Sequence, residues 1–487
     1  MALYQPSRYV ITAPLKGERQ LAYNGMTGAL AVWTPEEARA FEAVRDGEPC
    51  QDWKSLSDLV YGGFLIDEQV DELEQLHGQY KAHRFDRRTL ILTVAPTLSC
   101  NFGCDYCFQG QDKPSETMGK QVQDAILALV EKQAPELKHV HIAWYGGEPL
   151  LRMGVIEELS DRLIEFCDRT GLKYDAMIVT NGFRLTAEVA KSLAARRVKT
   201  VQVTLDGNEE YHDGRRYLLS GGSTFARIIA NLKEVVEQTS LVLNIRVNID
   251  HRNGDGAHEL IDALAAEGFS NKRTFRLYFA PVEAMTAGCH SVEDACMSKS
   301  DYGQLEVSLY RHAFDKGLVS LPYPPRFHGT CGAVRPTSFV VVPTGAIHKC
   351  WDTVTFSQHA IGSIFDMESV ARSERGARWL RWSPFQNDSC RNCKLLPNCA
   401  GACAYKFIHS EDTRGEAATL PCPSWKYNIK ERLLFRAEKM GAITAEDWDP
   451  ALTRTDPKEL CTDDHLSGGI ALPAAMQAYY TAEASAK

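Results

Sequence analysis

Six apolar, β-rich runs separated by stretches of helical periodicity constrain this chain more than any other feature. They lie at Leu90–Ala95, Val140–Trp144, Ala176–Thr180, Val198–Leu205, Leu241–Ile249 and Phe275–Phe279. Between them, Val122, Ala125, Ile126, Leu129 and Val130 share one helical face, as do Phe225, Ile228, Ile229, Leu232, Val235 and Val236. Ser223 and Thr224 are the expected N-caps of the second of these helices. Strand–helix alternation over residues 88–316 predicts an α/β fold built on a parallel sheet with right-handed crossovers. A sheet of six such units curves into a partial barrel whose site lies at the C-terminal strand ends.

Chemistry arrives directly after the first run. Cys100, Cys104 and Cys107 are spaced C-x3-C-x2-C. Iron–sulfur clusters are normally held by four cysteines. A three-cysteine loop can hold three irons of a 4Fe–4S cluster and leave the fourth open. Buried structural thiols or a zinc knuckle are the alternative reading. Fifteen cysteines fit either a disulfide-rich secreted protein or a metal protein. The N-terminus has no signal-peptide h-region, and no apolar run approaches the roughly 18 residues that span a bilayer. A cytoplasmic metal protein with no membrane partner is therefore expected. The net charge of −9 argues against nucleic acid as a partner. Cys50, Cys167, Cys289, Cys296 and Cys461 stand apart from the cluster-like spacings and read as small buried hydrophobes.

With Tyr106 just before the last cysteine, the loop closely resembles the signature of the radical SAM superfamily. The resemblance implies a (β/α)6 partial TIM-like barrel. It also implies a cluster on Cys100, Cys104 and Cys107 whose open iron chelates S-adenosylmethionine (SAM), and a 5′-deoxyadenosyl radical released on reduction. Tyr145-Gly146-Gly147-Glu148-Pro149 resembles the family's GGEP element, in which Gly146 and Gly147 allow close backbone approach and Glu148 accepts the methionine ammonium. Asn181, in the turn after the third run, and Thr204 and Asp206, after the fourth, are expected near the cofactor. Thr204-Leu205-Asp206-Gly207 with His212-Asp213 and Arg215-Arg216 is similar to a stretch of peptide-modifying members. It makes Arg216 a candidate contact to the SAM carboxylate or ribose, against a solvated surface arginine. Arg246, with Asn244 and Asn248, occupies one face of the fifth strand, which either lines the barrel or is half exposed.

The remaining seven cysteines follow the order of the SPASM extension. That resemblance assigns Cys390, Cys393, Cys399 and Cys422 to a distal auxiliary 4Fe–4S cluster, and Cys331, Cys350 and Cys403 to an inner one. Three clusters and SAM are thus the implied cofactors, with paired zinc sites as the alternative. Some members carry an eighth cysteine before Cys331. Here residues 321–330 read LPYPPRFHGT, so the inner set lacks an obvious fourth ligand. His328, Cys289, Cys296, Cys461 or an open iron that takes a substrate thiolate are the options.

A chain of 487 residues is long enough for two to four domains. The expected division is residues 1–87, a small α+β unit; 88–316, the barrel; 317–425, the SPASM region; and 426–487, a helix and frayed tail. In the first unit Arg8–Ala13 pairs with Gln20–Tyr23, Ala29–Trp33 adds a strand, and Thr34 caps a helix with Pro35 at its first position. Strands and helices with the GGFLID turn resemble a winged-helix domain that captures a leader peptide by strand addition, although a structural cap reads the same way. The implied function is a radical SAM/SPASM oxidoreductase that matures a ribosomally made precursor peptide with a leader. Its product would be an oxidative crosslink, a thioether before C–C or C–O, and its electron donor a flavodoxin or ferredoxin. A sulfatase-maturing enzyme that forms formylglycine is the enzymatic alternative. A non-catalytic iron–sulfur peptide-binding or redox-relay protein is the alternative of another class.

Overall fold

The computed structural model describes residues 4–318, 325–416 and 421–462. The tail from residue 463, where fraying was expected, and residues 321–324 of the LPYPPRFHGT segment lie outside them.

The N-terminal portion holds β1 (Tyr4–Pro6), β2 (Val10–Pro14), β3 (Gln20–Asn24), β4 (Leu30–Trp33) and β5 (Leu65–Asp67). Strands β2, β3 and β4 form an antiparallel sheet in that order, and β1 pairs with β5. Helix α1 (Pro35–Arg45) starts as its sequence demands. Thr34 Oγ1 accepts from Glu37 N–H while the Glu37 carboxylate accepts from Thr34 N–H, a reciprocal cap. Helices α2 (Trp53–Tyr61) and α3 (Glu72–Arg84) complete this part.

The six predicted strands are β6 (Thr89–Val94), β7 (His139–Trp144), β8 (Lys173–Thr180), β9 (Val198–Thr204), β10 (Val242–Ile249) and β11 (Phe275–Pro281). They run parallel in sequence order. Helices α4 (Lys120–Gln133), α5 (Met153–Thr170), α6 (Ala187–Ala195), α7 (Glu209–Arg215), α8 (Phe225–Gln238), α9 (Gly254–Ala266) and α10 (Lys299–Asp315) lie between and after them. Alternation sorts the side chains. In β7, Val140, Ile142 and Trp144 are fully buried while His139, His141 and Ala143 are half-buried. The same period in β10 leaves Asn244 and Arg246 on the more open face. Thr224 is the N-cap residue of helix α8, as expected, but its hydroxyl makes no capping bond. The Asp213 carboxylate, reaching across from α7, accepts from the N–H groups of Thr224 and Phe225 instead, while the Thr224 hydroxyl bonds Asp213 and the Arg216 carbonyl. A charged acceptor from another helix outcompetes the local hydroxyl.

The sheet does not end at β6. Strand β12 (Ser338–Val341) joins it in parallel, and β13 (Ala346–His348) and β14 (Gly362–Ser363) follow antiparallel. The segment between Cys331 and Cys350 is therefore a continuation of the barrel sheet. The helix expected after the SPASM region, Trp425–Lys439, is mostly buried despite its many charges. Its Ile429, Leu433, Leu434 and Ala437 pack with Ile11, Ala13, Leu21 and Tyr23 of the N-terminal sheet. Two of its charges are paired: Arg432 bridges Glu306 at 2.6 Å and Lys430 meets Glu459.

Candidate functional site

The Cys100–Cys107 loop leaves the end of β6 and is clamped from two sides. On one side lies the turn after β7. A Cβ on Gly146 would stand 2.2 Å from the Thr97 carbonyl oxygen, and one on Gly147 would stand 2.2 Å from those of Leu98 and Ser99. Gly146 also has φ +135°, so both positions require glycine. The turn is then locked by Gly147 N–H to Thr97 O at 3.2 Å and Glu148 N–H to Ser99 O at 2.8 Å. Gln109 donates to Gly146 O at 3.1 Å. On the other side Gly103 N–H donates to Tyr217 O at 3.1 Å and Leu219 N–H to Asn101 O at 2.9 Å.

Glu148 is fully buried. It accepts from Leu150 N–H (3.0 Å), the Thr180 hydroxyl (2.7 Å) and Asn181 N–H (2.7 Å). Burial pushes its pKa above the ordinary carboxylate range, against the pull of these bonds and of Arg216. The carboxylate thus ties the end of β7 to the end of β8, and Asn181 in turn donates to Asn101 Oδ1 at 2.9 Å.

Tyr106 reaches into the barrel. Its hydroxyl is bonded to the Asp206 carboxylate and to an Arg216 Nη1–H, and it accepts from Asn248 Nδ2 at 3.1 Å. Arg216 is buried, not solvated, and its Nε–H has no hydrogen-bond partner among the described residues. Arg246 donates to Asn248 Oδ1 at 2.7 Å and lies over the Tyr278 ring at 5.9 Å. Its face is the barrel interior. Thr204 pairs in register with Arg246. Arg215, which the sequence reading passed over, lies 4.4 Å above the Tyr106 ring and bridges Asp250 at 3.1 Å. The adjacent Arg215-Arg216 pair was the available signal, and both side chains prove to be buried.

Three soft thiol donors on a loop that glycines hold against the sheet, beside a buried arginine with a free donor, fit a cluster-plus-anion group. Burial raises the pKa of Cys100 to about 12 and raises Cys104 as well. A metal or cluster held here would have to displace protons from these thiols.

Seven further thiols were expected in two sets. Cys331, Cys350 and Cys403 act electrostatically on one another, as do Cys390, Cys393, Cys399 and Cys422. Between Cys399 and Cys403 the backbone passes through Ala400, Gly401 and Ala402, all left-handed with φ of 48°, 82° and 48°. This run directs neighbouring cysteines to different sets. Left-handed alanines carry strain of roughly 1–2 kcal/mol each.

None of the suggested fourth ligands stands out beside the inner set. His328 faces Trp425 with ring centroids 5.6 Å apart. Cys289 and Cys296 pack with Val282 and Val292. Cys461 forms a backbone bridge with Cys393 and so joins the distal set. The residue beside the inner thiols is Asp352. Its Oδ2 accepts from Cys350 Sγ at 3.4 Å, its charge is felt by Cys331 and Cys403, and burial pushes it up to about 6. A carboxylate two residues from a cysteine was visible in the sequence but has no spacing rule to announce it. Tyr145 links the two loops through its ring, which stacks on Phe108, beside Cys107, at 6.2 Å and on Trp351, beside Cys350, at 5.3 Å.

The radical SAM superfamily profile matches residues 94–264. The mycofactocin maturase MftC of Mycolicibacterium smegmatis is 32% identical over 338 residues, which are 66% of this chain and 79% of that protein. This chain belongs to the radical SAM superfamily. It is an enzyme of that superfamily, whose members bind a 4Fe–4S cluster and SAM. A serine-type anaerobic sulfatase-maturating enzyme of Klebsiella aerogenes is 23% identical over 334 residues, 64% of this chain and 78% of that protein. Among solved structures, native anSMEcpe with bound AdoMet superposes with a TM-score of 0.56 at 21% identity, covering 72% of this chain and all of that one. The likeness extends the shared fold beyond the barrel. Among the described residues no helix is long and apolar enough to cross a membrane.

Proposed function

We propose that this radical SAM enzyme is a maturase that oxidises a side chain of a ribosomally made peptide, and that three clusters serve it. Cys100, Cys104 and Cys107 would hold the SAM-binding cluster, which with SAM supplies a 5′-deoxyadenosyl radical. Gly146 and Gly147 seat the loop, and Glu148 and Asn181 fix the strand ends around it. Tyr106 and Arg216 would offer a phenol and a cation to the aromatic and anionic parts of SAM, with Asp206 and Asn248 orienting the phenol. Arg246, Asn244 and Tyr278 offer polar contacts to a substrate backbone in the barrel.

Cys390, Cys393, Cys399 and Cys422 would hold a distal cluster, and Cys331, Cys350 and Cys403 an inner one, with Asp352 at its fourth position. The observation that carries the reading is Tyr145, whose ring stacks on Phe108, the residue after Cys107, at 6.2 Å and on Trp351, the residue after Cys350, at 5.3 Å. A substrate side chain beside Tyr145 would face the radical source and an electron acceptor together, the arrangement that an oxidative crosslink needs. A carboxylate is a harder ligand for iron than a thiolate, so a substrate cysteine would displace Asp352 readily, which favours a thioether product over C–C or C–O. A leader would add to an edge of the β2–β3–β4 sheet, and a flavodoxin or ferredoxin would supply electrons. The sulfatase-maturating relative supports a second reading, formylglycine formation from Cys or Ser.

Anaerobic iron and sulfide quantitation with 5′-deoxyadenosine detection tests the proposal. About twelve irons per chain are expected, falling by about four in a Cys100/Cys104/Cys107→Ala variant, with loss of deoxyadenosine. Zinc as the main metal and no deoxyadenosine from the wild type would end it. Incubation with a precursor peptide and with a sulfatase peptide then separates the two substrate readings.

A further inference from the structure

Away from the thiols, the C-terminal region brings together three side chains that no step of the reaction uses. His359 ends a short turn after Cys350, and His409 and Asp412 flank a turn after Cys403. His409 Nδ1 lies 3.3 Å from Asp412 Oδ2, and His359 Nε2 lies 3.7 Å from the same oxygen. One donor atom from each residue falls within 4.8 Å of the other two. Two ligands held about 2.1 Å from a tetrahedral ion stand about 3.4 Å apart, so a divalent cation fits between them with small side-chain rotations.

The polar bookkeeping points the same way. His409 is only 6% exposed, yet its Nδ1 and the Asp412 Oδ2 it faces are both buried without a hydrogen-bond partner among the described residues. Two such atoms left facing each other are costly, and one cation between them would satisfy both. The surroundings fix the donors. Asp412 N–H donates to His409 O at 3.1 Å, and His290 Nε2 bonds the Asp412 carbonyl at 2.7 Å. The Tyr405 ring stacks on His409 at 4.9 Å.

We propose that His359, His409 and Asp412 form a mononuclear divalent-cation site, of the nitrogen–oxygen type that suits zinc, which staples the segment following Cys350 to the segment following Cys403. Imidazole and carboxylate donors with a water in the fourth position match zinc chemistry. The site is separate from every thiol set, so it stands whether or not the inner set holds a cluster.

The test is zinc titration by calorimetry on the full chain with its clusters in place, after EDTA treatment and desalting, with cobalt absorption as the second readout. Wild type should take up one Zn2+ per chain. His359→Ala, which removes a half-exposed ligand and leaves no core cavity, should bind at least 100-fold more weakly with unchanged iron content and circular dichroism. Cobalt should give weak d–d bands without sulfur charge transfer. Absence of uptake by wild type, equal binding by His359→Ala, or a cobalt–thiolate band as the only signal would overturn the proposal. Should His359→Ala misfold, Asp412→Asn is read in its place by the same criteria.

Discussion

At the scale of single residues, the site depends on atoms that are missing as much as on those present. Gly147 has three carbonyl-side atoms of the cysteine loop within 2.5 Å of where a Cβ would stand. Gly147→Ala should therefore push the loop off the sheet. Overpacking of this kind costs about 1–3 kcal/mol, and here it displaces thiols. Iron per chain should fall by about four and deoxyadenosine formation should cease, while the far-ultraviolet circular dichroism stays as in wild type. Tyr106→Phe is a gentler probe. It removes the hydroxyl shared by Asp206, Arg216 and Asn248 and leaves a buried carboxylate and guanidinium short of a partner, at about 1–3 kcal/mol. Deoxyadenosine formation should drop at least tenfold with iron content unchanged. Equal rates would remove Tyr106 from the site.

Between elements, helix α3 is pinned by its last residue. Arg84 is buried and donates to the carbonyls of Val334 (2.9 Å), Trp379 (3.1 Å), Leu380 (2.7 Å) and Trp382 (2.7 Å). Arg84→Met keeps the length and removes every donor, so buried carbonyls lose their partners at about 1–3 kcal/mol each. A fall of several degrees in the melting temperature is the expected outcome; an unchanged midpoint would mean that water replaces the guanidinium. Little of this was legible beforehand. The β–α alternation of residues 88–316 could be read because each strand is apolar on its own. Arg84 could not, because a helix-terminal arginine in a sequence looks like a dipole partner on the surface. Asp213 as the cap of α8 was hidden for a related reason: its acceptor role depends on α7 folding beside α8.

Across the whole molecule, Glu283 links the barrel to the cysteine-rich region. It follows β11, meets Lys299 at the start of α10, and bridges Lys406 at 2.7 Å. Two cations hold its carboxyl near 2, against an ordinary 4.5. Glu283→Gln strands two buried ammonium groups and should cost about 3–5 kcal/mol. The sign with pH follows from the lowered value. The advantage of wild type is complete above pH 4.5 and is lost as pH falls toward about 2. Chemical denaturation of both proteins across that range checks it; a gap that widens on acidification would contradict the assignment. Cys390, Cys393 and Cys399 could be grouped beforehand because one short stretch of chain carries them. Asp352 and the His359–His409–Asp412 group were not, because the first has no motif and the second is assembled from segments about fifty residues apart.

The pairing of β12 with β6 has a consequence for electron flow. Cys100 follows β6 and Cys350 follows β13, so the clusters proposed at these two cysteines would be mounted on strands of one hydrogen-bonded sheet, whose neighbours are about 4.8 Å apart. Their separation is set by strand spacing, as marks on a ruler are, and not by the slack of a tether. Electron tunnelling falls steeply with distance, so a fixed gap makes the rate of re-oxidation a property of the fold. Lengthening the connection between α10 and Cys331 should leave that rate untouched.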